Sequence, residues 1–365
     1  MRVISHSANN FRNLKESFFE ADPSMNVIFG ENGQGKTNII ESIWLFTGCY
    51  SFRTHKNIQL ICDGEEKAES TLNFFSGARE QNAEMTVSKK KEIILNGSLC
   101  DSPRRMLGEF CAVVFSPSTL SVIKDGPSDR RKLIDIAISL IKPNYAVILS
   151  RYLRALNQRN NLLKKVSENP EFQSYLEPWD DALSSLGAKV IRYRIDYLKR
   201  LGGLSAQIYS GISSSRESFS LAYSFCKDDE DPDEAEIKKR LEEHLFKSRE
   251  ADFKRLYTQS GPHSDDLIFS LDGRDARFYG SQGQQRSCAL ALKLSEASIM
   301  GEITGEAPVV LLDDVMSELD EGRQKFILNF LDNWQVFITC CDPSQLLRSE
   351  TGKVFEVKQG KINQI

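Results

Sequence analysis

One octapeptide constrains this chain more than any other stretch: residues 30–37 read Gly30-Glu31-Asn32-Gly33-Gln34-Gly35-Lys36-Thr37, the form G-x-x-x-x-G-K-T. Glycines let a backbone turn tightly and bring successive N–H groups close to the phosphates of a nucleoside triphosphate. The apolar run 25–29 before it predicts a strand, and the run 38–46 after it predicts a helix. Strand, glycine loop and helix are the arrangement that a phosphate-binding P-loop needs, so the sequence predicts an α/β fold that binds a nucleotide.

The last two residues of the P-loop carry the charge and the hydroxyl that this chemistry requires. Lys36 is expected to neutralise negative charge on the β- and γ-phosphates, and the Thr37 hydroxyl is expected to bind Mg²⁺. The positive end of the helix dipole behind them favours the same anion. A chance match in a glycine-containing turn is the alternative, and the flanking strand and helix make it the weaker interpretation.

A second acidic motif lies far along the chain, where Val309-Val310-Leu311-Leu312 is followed by Asp313 and Asp314. This is the Walker B form, an apolar strand that ends in carboxylates. A parallel strand beside the P-loop strand would place Asp313 near Thr37 as a second Mg²⁺ ligand. Asp314 would then act with Lys36 in catalysis, by orienting or deprotonating the water that attacks the γ-phosphate. The alternative is a pair of acidic residues that merely ends a strand.

Composition excludes several classes of protein. A chain of 365 residues, of which 40% are hydrophobic, is long enough for two domains, and its net charge of -4 restricts any nucleic-acid site to a local patch. Eight cysteines without a C-x-x-C pair predict free thiols in a reducing cytosol. No apolar run approaches the ~20 residues of a membrane helix, so we expect a cytoplasmic protein with no membrane partner.

The order of strand-like and helix-like segments predicts one domain interrupted by another. Residues 1–125 look strand-rich, residues 126–260 look helical, and strands alternate with helices again from residue 261. The prediction is a head of residues 1–125 plus 261–365, split by a helical arm of residues 126–260. Within the arm, helices are expected at 129–165 with an interruption at Pro143, at 177–201 ending at Gly202-Gly203, and at 233–257.

Two shorter patterns complete the set of motifs. The first is S-x-G-Q-x-R at residues 281–286, a glycine loop before a helix, for which a phosphate site is one possibility. The second is Ser317-Glu318-Leu319-Asp320, an acidic turn in which Asp320 is expected to cap the next helix.

The order of P-loop, S-x-G-Q-x-R, Walker B motif and S-E-L-D resembles the ABC-type ATPase heads of the SMC class. The residues of these motifs are similar to those of the RecF family of bacterial recombination mediators. Further short segments that match the family are Phe11-Arg12-Asn13, Ser51-Phe52-Arg53-Thr54, Phe115-Ser116-Pro117, Gly126-Pro127 and Gly261-Pro262-His263-Ser264-Asp265-Asp266.

The resemblance implies an ABC-type P-loop ATPase head with a helical arm insertion, ATP and Mg²⁺ as cofactors, and a homodimer. Two heads would sandwich two ATP molecules, so that the 281–284 loop of one subunit contacts the γ-phosphate held by the other subunit's P-loop. Asp320 would lie across the dimer seam, and hydrolysis would remove the bridging phosphate. The residues implied at the ATP are Gly30, Glu31, Asn32, Gly33, Gln34, Gly35, Lys36, Thr37 and Arg12, and those implied in trans are Ser281, Gln282, Gly283, Gln284 and Asp320.

The sequence departs from the general ABC pattern at two places. The residue after the Walker B aspartate is usually glutamate, whereas Asp314 is shorter by one methylene, which predicts slow ATP hydrolysis suited to a switch. The switch histidine of many ABC proteins is absent, and Thr339-Cys340-Cys341-Asp342 occupies its place. The sensor of the γ-phosphate therefore stays open at this point.

Positive charge is concentrated in the first part of the arm. Residues 127–200 contain 14 Lys or Arg and 8 Asp or Glu, whereas residues 201–260 contain 9 and 12. Such a segment predicts contacts to DNA phosphates without sequence readout, although ordinary solvated helix faces are the alternative. Arg53, shortly after the P-loop helix, is open to contact with either ATP or DNA. The candidate DNA contacts are Arg130, Arg131, Lys132, Arg151, Arg154, Arg192 and Arg194.

Motifs and resemblance together predict ATP-dependent DNA binding in recombinational gap repair. The protein would dimerise on ATP, bind single-stranded and duplex DNA, and help to load the recombinase on single strands beside duplex. The resemblance implies mediators of the RecO and RecR type as partners. A transporter-like ABC subunit and a small-molecule kinase with a P-loop are the competing interpretations, and the kinase would need no S-x-G-Q-x-R loop.

Overall fold

The computed structural model describes residues 1–226, 230–342 and 352–365, and they form two compact units. Unit 1 comprises Met1–Ser121 and Lys293–Ile365, and unit 2 comprises Val122–Leu292. Residues 261–292, which the sequence pattern assigned to the head, therefore pack within unit 2. The division into a functional head and arm stays a prediction whose boundaries differ from those of the compact units.

Strands dominate both ends of the chain, and long helices dominate its middle. In chain order, the strands of the described residues are β1 (Arg2–Phe11), β2 (Leu14–Glu20), β3 (Met25–Phe29), β4 (Ala68–Ser76), β5 (Arg79–Val87), β6 (Lys91–Leu95), β7 (Ser98–Leu99), β8 (Ala112–Phe115), β9 (Phe219–Tyr223), β10 (Leu267–Leu271), β11 (Arg274–Asp275), β12 (Val309–Asp313), β13 (Val336–Cys340), β14 (Lys353–Lys358) and β15 (Lys361–Gln364). The helices are α1 (Lys36–Leu45), α2 (Pro117–Leu120), α3 (Pro127–Ile141), α4 (Pro143–Glu168), α5 (Glu177–Ser213), α6 (Glu234–Arg255), α7 (Ala276–Tyr279), α8 (Gln282–Thr304) and α9 (Glu321–Phe330).

One sheet of unit 1 is mostly parallel and carries both nucleotide motifs. Its strand order is β15-β14-β3-β13-β12-β8, and β14, β3, β13, β12 and β8 run parallel. All residues of β12 and β13 are buried, as expected for strands covered on both faces. The sequence placed β12 directly beside β3, and this was wrong because β13 lies between them. Both strands still end at the same edge of the sheet, since carboxyl ends of parallel strands coincide.

The other sheet of unit 1 is antiparallel, with the strand order β2-β1-β4-β5-β6-β7. β4 alternates buried with more exposed residues along its length, which is the pattern of a strand with one face on the core. Asn96 and Gly97 connect β6 to β7 with φ angles of 50° and 78°. Positive φ at both central residues is what a type I′ hairpin turn requires, and the pair Asn-Gly is the one that such a turn favours.

Unit 2 combines helices α3 to α6 with the small sheet β11-β10-β9. The interruption at Pro143 is confirmed, because α3 ends at Ile141 and α4 begins at Pro143. Helix α5 does not end at Gly202-Gly203 but continues to Ser213. A Cβ added to Gly202 would lie 3.6 Å from the Leu221 side chain of β9, a strand that the sequence pattern did not reveal. Packing against β9 thus outweighs the cost of about 1 kcal/mol per helical glycine.

None of the helices in the described ranges is both long enough and apolar enough to cross a membrane.

Candidate nucleotide-binding site

The P-loop connects β3 to α1 in unit 1, as predicted, and the space around it requires glycine at two of its positions. Gly30 has φ 152°, and a Cβ at this position would lie 2.4 Å from the Val357 carbonyl oxygen of β14. Gly35 has φ 118°, and a Cβ there would lie 2.7 Å from the Asn13 side chain. Larger residues would therefore push the loop away from the elements that hold it.

Lys36 lies across its own loop. Its ammonium donates hydrogen bonds to the carbonyl oxygens of Gly30 at 2.6 Å and Glu31 at 3.0 Å. The thiol of Cys341 lies 3.8 Å from the same ammonium and donates to the Asn32 side chain at 3.3 Å. Cys341, one of the four residues in the stretch where a switch histidine would be expected, thus contacts the P-loop through its thiol.

The side chains of Thr37 and Asp313 are in contact, although β3, the strand before the P-loop, and β12 are not neighbours in the sheet. The Thr37 hydroxyl donates to Asp313 Oδ1 at 2.9 Å, and the Thr339 hydroxyl of β13 donates to the same oxygen at 3.0 Å. Burial raises the pKa of the Asp313 carboxyl above its ordinary value, and the hydrogen bonds from Thr37 and Thr339 act in the opposite direction. Asp313 is only 4% exposed, so its charge is costly unless a cation shares it.

This pair fits Mg²⁺. Octahedral Mg²⁺ binds oxygens at about 2.1 Å, so two neighbouring ligands lie about 3 Å apart. The Thr37 and Asp313 oxygens are 2.9 Å apart, and both are hard oxygen donors. Phosphate oxygens and water would complete the coordination, which is the usual way proteins hold Mg²⁺ at a nucleotide. Mg²⁺ bound between them would neutralise charge on the phosphates.

Asp314 follows in a left-handed backbone conformation, with φ 53°. Its backbone N–H donates to the Thr339 hydroxyl at 2.8 Å, and its carboxylate accepts a hydrogen bond from Ser317 at 3.2 Å. The turn aims the side chain away from buried β12 and toward the cavity beside the P-loop. A carboxylate in that place is suited to orient water at a bound triphosphate.

The P-loop borders a cavity of about 530 Å³, a size typical of small-molecule sites. All of its lining residues belong to unit 1. The lining residues are Arg12, Asn13, Asn32, Gly33, Gly35, Lys36, Thr37, Asn38, Arg53, Gln59, Ile61, Cys62, Asp63 and Asp314.

A buried carboxylate on the P-loop helix holds two arginines at this cavity. Arg12 donates to both oxygens of Glu41 at 2.7 and 2.8 Å, and Arg53 donates to the same carboxylate at 3.3 Å. Arg53 also donates to Asn38 at 2.7 Å, and Ser51 donates to Glu41. Glu41 is completely buried, so one negative charge serves two positive ones, and the surplus positive charge faces the cavity.

Arg12 and Arg53 both line this cavity, and the contact of Arg12 with ATP stays a prediction. Sequence reasoning missed the carboxylate that positions them. A signal existed, because Glu41 is the only charged residue between Lys36 and Phe46 of the sequence. Carboxylates are almost never fully buried unless they are paired.

The 281–284 loop lies at the start of α8 in unit 2. Ser281 and Gln284 cap the helix reciprocally: the Gln284 N–H donates to the Ser281 hydroxyl at 3.3 Å, and the Ser281 N–H donates to the Gln284 side chain at 2.6 Å. Gln284 also donates to Glu217 at 2.5 Å. Ser281 and Gln282 are exposed, while Gly283 and Gln284 are half-buried. The contact of this loop with a second subunit's nucleotide stays a prediction.

Asp320 caps α9, as the sequence predicted. Its carboxylate accepts a hydrogen bond from the Arg323 N–H at 3.0 Å and forms an ion pair with the Arg323 side chain. The backbone hydrogen bond lowers the pKa of the Asp320 carboxyl. The residue is exposed in unit 1, and its role across a dimer seam stays a prediction.

Two of the candidate DNA contacts are buried in unit 2 and do not present their charge to solvent. Arg130 donates to both oxygens of Asp266 at 2.7 Å, and Arg194 donates to both oxygens of Asp135 at 3.0 Å. Each side chain is at most 3% exposed. As surface contacts these two predictions were wrong, because charge counts along a sequence do not distinguish a solvated arginine from a paired one.

The other candidates differ among themselves. Arg131 is half-buried and donates to the Asp265 carbonyl oxygen at 2.6 Å, and Arg192 forms ion pairs with Asp196 and Asp231. Arg151 and Arg154 of α4 are exposed, and Lys132 of α3 is partly exposed. None of these last three forms an ion pair among the described residues, so their charge is available to a phosphate.

The chain is similar to known proteins over its whole length. The model of the RecF/RecN/SMC N terminal domain matches residues 3–363. A DNA replication and repair protein RecF from Agathobacter rectalis is 37% identical over 369 residues, with 100% of this chain and 99% of the relative covered. A solved structure of the recombination mediator protein RecF with ATP, from the RecFOR pathway, has a TM-score of 0.92 and 39% identity, covering 100% of this chain and 97% of that chain.

A more distant likeness concerns the fold alone. The Smc head domain of Pyrococcus furiosus has a TM-score of 0.56 and 16% identity, covering 100% of this chain and 95% of that chain. The α/β fold of an ABC-type ATPase head, expected from the P-loop and Walker B motifs, is thereby confirmed. With a family model that spans almost the entire sequence and full-length relatives above 30% identity, the chain belongs to the RecF family within the RecF/RecN/SMC group.

Proposed function

We propose that this protein binds ATP with Mg²⁺ in the cavity beside the P-loop and uses it to control dimerisation and DNA binding in recombinational gap repair. The observation that carries the proposal is that Lys36, Thr37 and Asp314 line one cavity, where Thr37 is hydrogen-bonded to Asp313 behind it. Membership of the RecF family supports the same function and favours it over a transporter subunit or a small-molecule kinase.

Dimerisation follows from the location of the second phosphate motif. The cavity contains the residues that grip a triphosphate from one side, all from unit 1. The Ser281 cap is an exposed helix N-terminus of a 23-residue helix, and its dipole suits an anion. A second copy that brings Ser281 to the γ-phosphate would make ATP part of the interface, and hydrolysis would weaken it.

Slow hydrolysis follows from the side chain of Asp314. An aspartate in place of glutamate reaches less far from the same backbone position, so water is oriented less well. Replacement Asp314→Glu is expected to raise the turnover number, and Asp314→Asn to lower it. A wild-type rate near that of typical metabolic enzymes, roughly 10 per second, would contradict a switch.

DNA and the mediators complete the proposed function. Lys132, Arg151 and Arg154 supply candidate phosphate contacts for single-stranded and duplex DNA, with steep salt dependence and no sequence preference. The resemblance to RecF of the RecFOR pathway supports RecO-type and RecR-type mediators as partners and the loading of the recombinase as the outcome.

The test measures molar mass in solution with ATP, with ADP and without nucleotide. A dimer is expected with ATP alone, and both Lys36→Ala and Ser281→Arg are expected to abolish it. Lys36→Ala should also abolish ATP binding, whereas Ser281→Arg should leave ATP binding to the monomer intact. Ser220→Arg, at an exposed serine elsewhere in unit 2, is the control and should dimerise normally. A monomer at all ATP concentrations would overturn the proposal.

A further inference from the structure

The side chain of Gln284 joins the 281–284 loop to another part of unit 2. Its carbonyl oxygen accepts the Ser281 N–H at 2.6 Å, and its amide donates to the Glu217 carboxylate at 2.5 Å. Glu217 lies between α5 and β9. We propose that Glu217 is a positioning residue for ATP-dependent dimerisation, because it fixes the Gln284 amide and thereby the orientation in which Ser281 meets a second subunit's nucleotide. The inference rests on the proposed contact of Ser281 with that nucleotide and adds what sets the geometry of the loop.

The Glu217 carboxylate determines which way the Gln284 amide points. An ionised carboxylate only accepts hydrogen bonds, so Glu217 must face the NH₂ end of the amide. The Ser281 N–H only donates, so it needs the opposite, carbonyl end of the same amide. Both partners therefore favour one orientation of Gln284, and removal of Glu217 would release the NH₂ end.

The Glu217 carboxylate is itself held by α5. Its second oxygen accepts a hydrogen bond from the Tyr209 hydroxyl at 2.6 Å, and Tyr209 is only 1% exposed. The Tyr209 ring stacks on Phe219 of β9, with the ring centroids 5.5 Å apart. A stacked and buried phenol has few alternative rotamers, so it holds the carboxylate in one place.

The backbone beside Glu217 is tied to the turn between β10 and β11. The Ser218 N–H and hydroxyl donate to the same oxygen of Asp272, at 2.8 and 2.9 Å, and the Asp272 N–H donates to the Ser218 carbonyl oxygen at 2.9 Å. The position of Glu217 is therefore set by α5, β9 and this turn together. A side chain supported by such elements can fix the loop that it contacts.

The loop needs this support because the hydrogen bond of its own cap is long. The Gln284 N–H donates to the Ser281 hydroxyl at 3.3 Å, beyond the usual range of about 2.7–3.2 Å. Since that hydroxyl accepts in the cap, its own proton stays free for donation to a phosphate oxygen. Ser281 and Gln282 are exposed, so the shorter bonds of the Gln284 side chain link them to the interior of unit 2.

The test measures the dissociation constant of the dimer by analytical ultracentrifugation, with a non-hydrolysable ATP analogue and Mg²⁺. Glu217→Ala should raise this constant about 10-fold, the effect of one lost hydrogen bond to a charged group. Glu217→Gln keeps an acceptor for the Gln284 amide and should stay within about 3-fold of the wild type. Glu250→Ala, at an exposed carboxylate of α6, is the matched control and should dimerise normally.

Two further measurements separate positioning of the loop from other effects of Glu217. In the Ser281→Arg background, which is expected to stay monomeric, Glu217→Ala should leave ATP affinity unchanged, because every cavity residue belongs to unit 1. Glu217→Ala combined with Gln284→Ala should dimerise no more weakly than Gln284→Ala alone, because both changes break the same link.

Three results would overturn the inference and leave the proposed function intact. They are a wild-type dimer constant in Glu217→Ala, a loss in Glu217→Gln as large as in Glu217→Ala, and effects of Glu217→Ala and Gln284→Ala that multiply in the double variant. If the wild type stays monomeric with the ATP analogue, the proposed function fails and this inference fails with it.

Tyr209→Phe keeps the inference testable if circular dichroism shows that Glu217→Ala does not fold. This variant removes only the hydroxyl that holds Glu217 and keeps the stacked ring. It should raise the dimer constant about 3-fold, as expected for the outer bond of the link. An unchanged constant in folded Tyr209→Phe would then overturn the inference.

Discussion

Two pairs of arginines, one pair in each unit, have opposite roles. At the cavity of unit 1, Arg12 and Arg53 share the single carboxylate of Glu41, and 17% and 43% of their side chains are exposed. In unit 2, Arg130 and Arg194 each have a carboxylate of their own and are 3% and 2% exposed. Surplus charge at a cavity is available to a ligand, whereas a fully paired buried charge holds the fold together.

Hydrogen-bonded side chains of unit 2, which we call the unit 2 network, surround the 261–266 segment. This segment is one of the stretches that carried the family resemblance. Arg194 donates to the Pro262 carbonyl oxygen at 2.6 Å, Tyr152 and His263 are joined by a hydrogen bond of 2.6 Å, and Tyr223 donates to Asp265 at 2.5 Å. Burial raises the pKa of the Asp265 carboxyl. Polar groups of this segment are therefore paired within unit 2, and the loss of a partner would leave a buried group unsatisfied.

The largest expected effect is on the unit 2 network. Arg194→Ala should lower the free energy of unfolding of unit 2 by about 4 kcal/mol, because Asp135 is left without its buried partner. Hydrogen exchange of unit 2 amides measures this loss. ATP affinity should be unchanged, since every cavity residue belongs to unit 1. Arg151→Ala is the control and should cost less than about 0.5 kcal/mol. If Arg194→Ala kept the wild-type stability, the buried arginine would not stabilise unit 2 and the contrast with unit 1 would be contradicted.

The next effect tests the shared carboxylate of unit 1. Glu41→Gln should lower the free energy of unfolding by about 3 kcal/mol, because Arg12 and Arg53 lose the negative charge that they share. It should also weaken ATP binding, since Arg12 and Arg53 are no longer held at the cavity. Calorimetric titration with ATP and urea unfolding measure the two effects. Arg53→Ala is the companion variant and should weaken ATP binding with little loss of stability. Unchanged ATP affinity in Glu41→Gln would show that Glu41 only stabilises the fold.

A smaller effect concerns acid stability of unit 1. Burial lowers the pKa of His6 from 6.5 to about 3, and its ring lies 2.9 Å from Ser42 of the P-loop helix. The folded protein keeps the ring neutral, whereas the unfolded chain binds a proton below pH 6.5. The free energy of unfolding therefore decreases by about 2 kcal/mol as the pH falls from 7 to 5.

His6→Gln should flatten this part of the pH profile, measured by urea unfolding at several pH values. His55→Gln, at an exposed histidine of the same unit, is the matched control and should keep the wild-type slope. Equal slopes in wild type and His6→Gln would mean that another group causes the acid sensitivity.

The smallest effect concerns the exposed cations of the arm. Arg151→Ala and Arg154→Ala should each reduce the slope of log affinity for DNA against log salt by about 1, because one phosphate contact is lost. Stability should stay within about 0.5 kcal/mol of the wild type. DNA titrations at two salt concentrations measure this slope. An unchanged slope in both variants would remove α4 from the DNA surface.

Prediction from sequence succeeded where the local chain contains the cause. A strand, a glycine loop and a helix follow one another within residues 25–46, so the P-loop could be located without knowledge of the fold. Asp320 capping α9 and the break before Pro143 depend on neighbouring residues in the same way. The contact between Thr37 and Asp313 was predicted from a general property of parallel sheets, even though the predicted neighbour relation of β12 and β3 was wrong.

Prediction failed where distant residues decide. Helix α5 continues past Gly202-Gly203 because β9 packs against it, and β9 exists because it pairs with β10, some fifty residues further along. The sequence predicted Arg130 and Arg194 as surface cations, but the fold pairs them with Asp266 and Asp135. The charge of Glu41 within α1 indicated a paired carboxylate, but the sequence of α1 does not reveal that Arg12 and Arg53 are its partners.

The sequence by itself determined that this chain holds a P-loop and a Walker B strand, because both depend on short runs of residues with obligatory backbone and charge requirements. Only the tertiary structure decided which charges face the cavity, because burial and pairing are set by contacts across tens to hundreds of residues. Arg12, Glu41 and Arg53 became one group through such contacts, and Arg194 became part of a core.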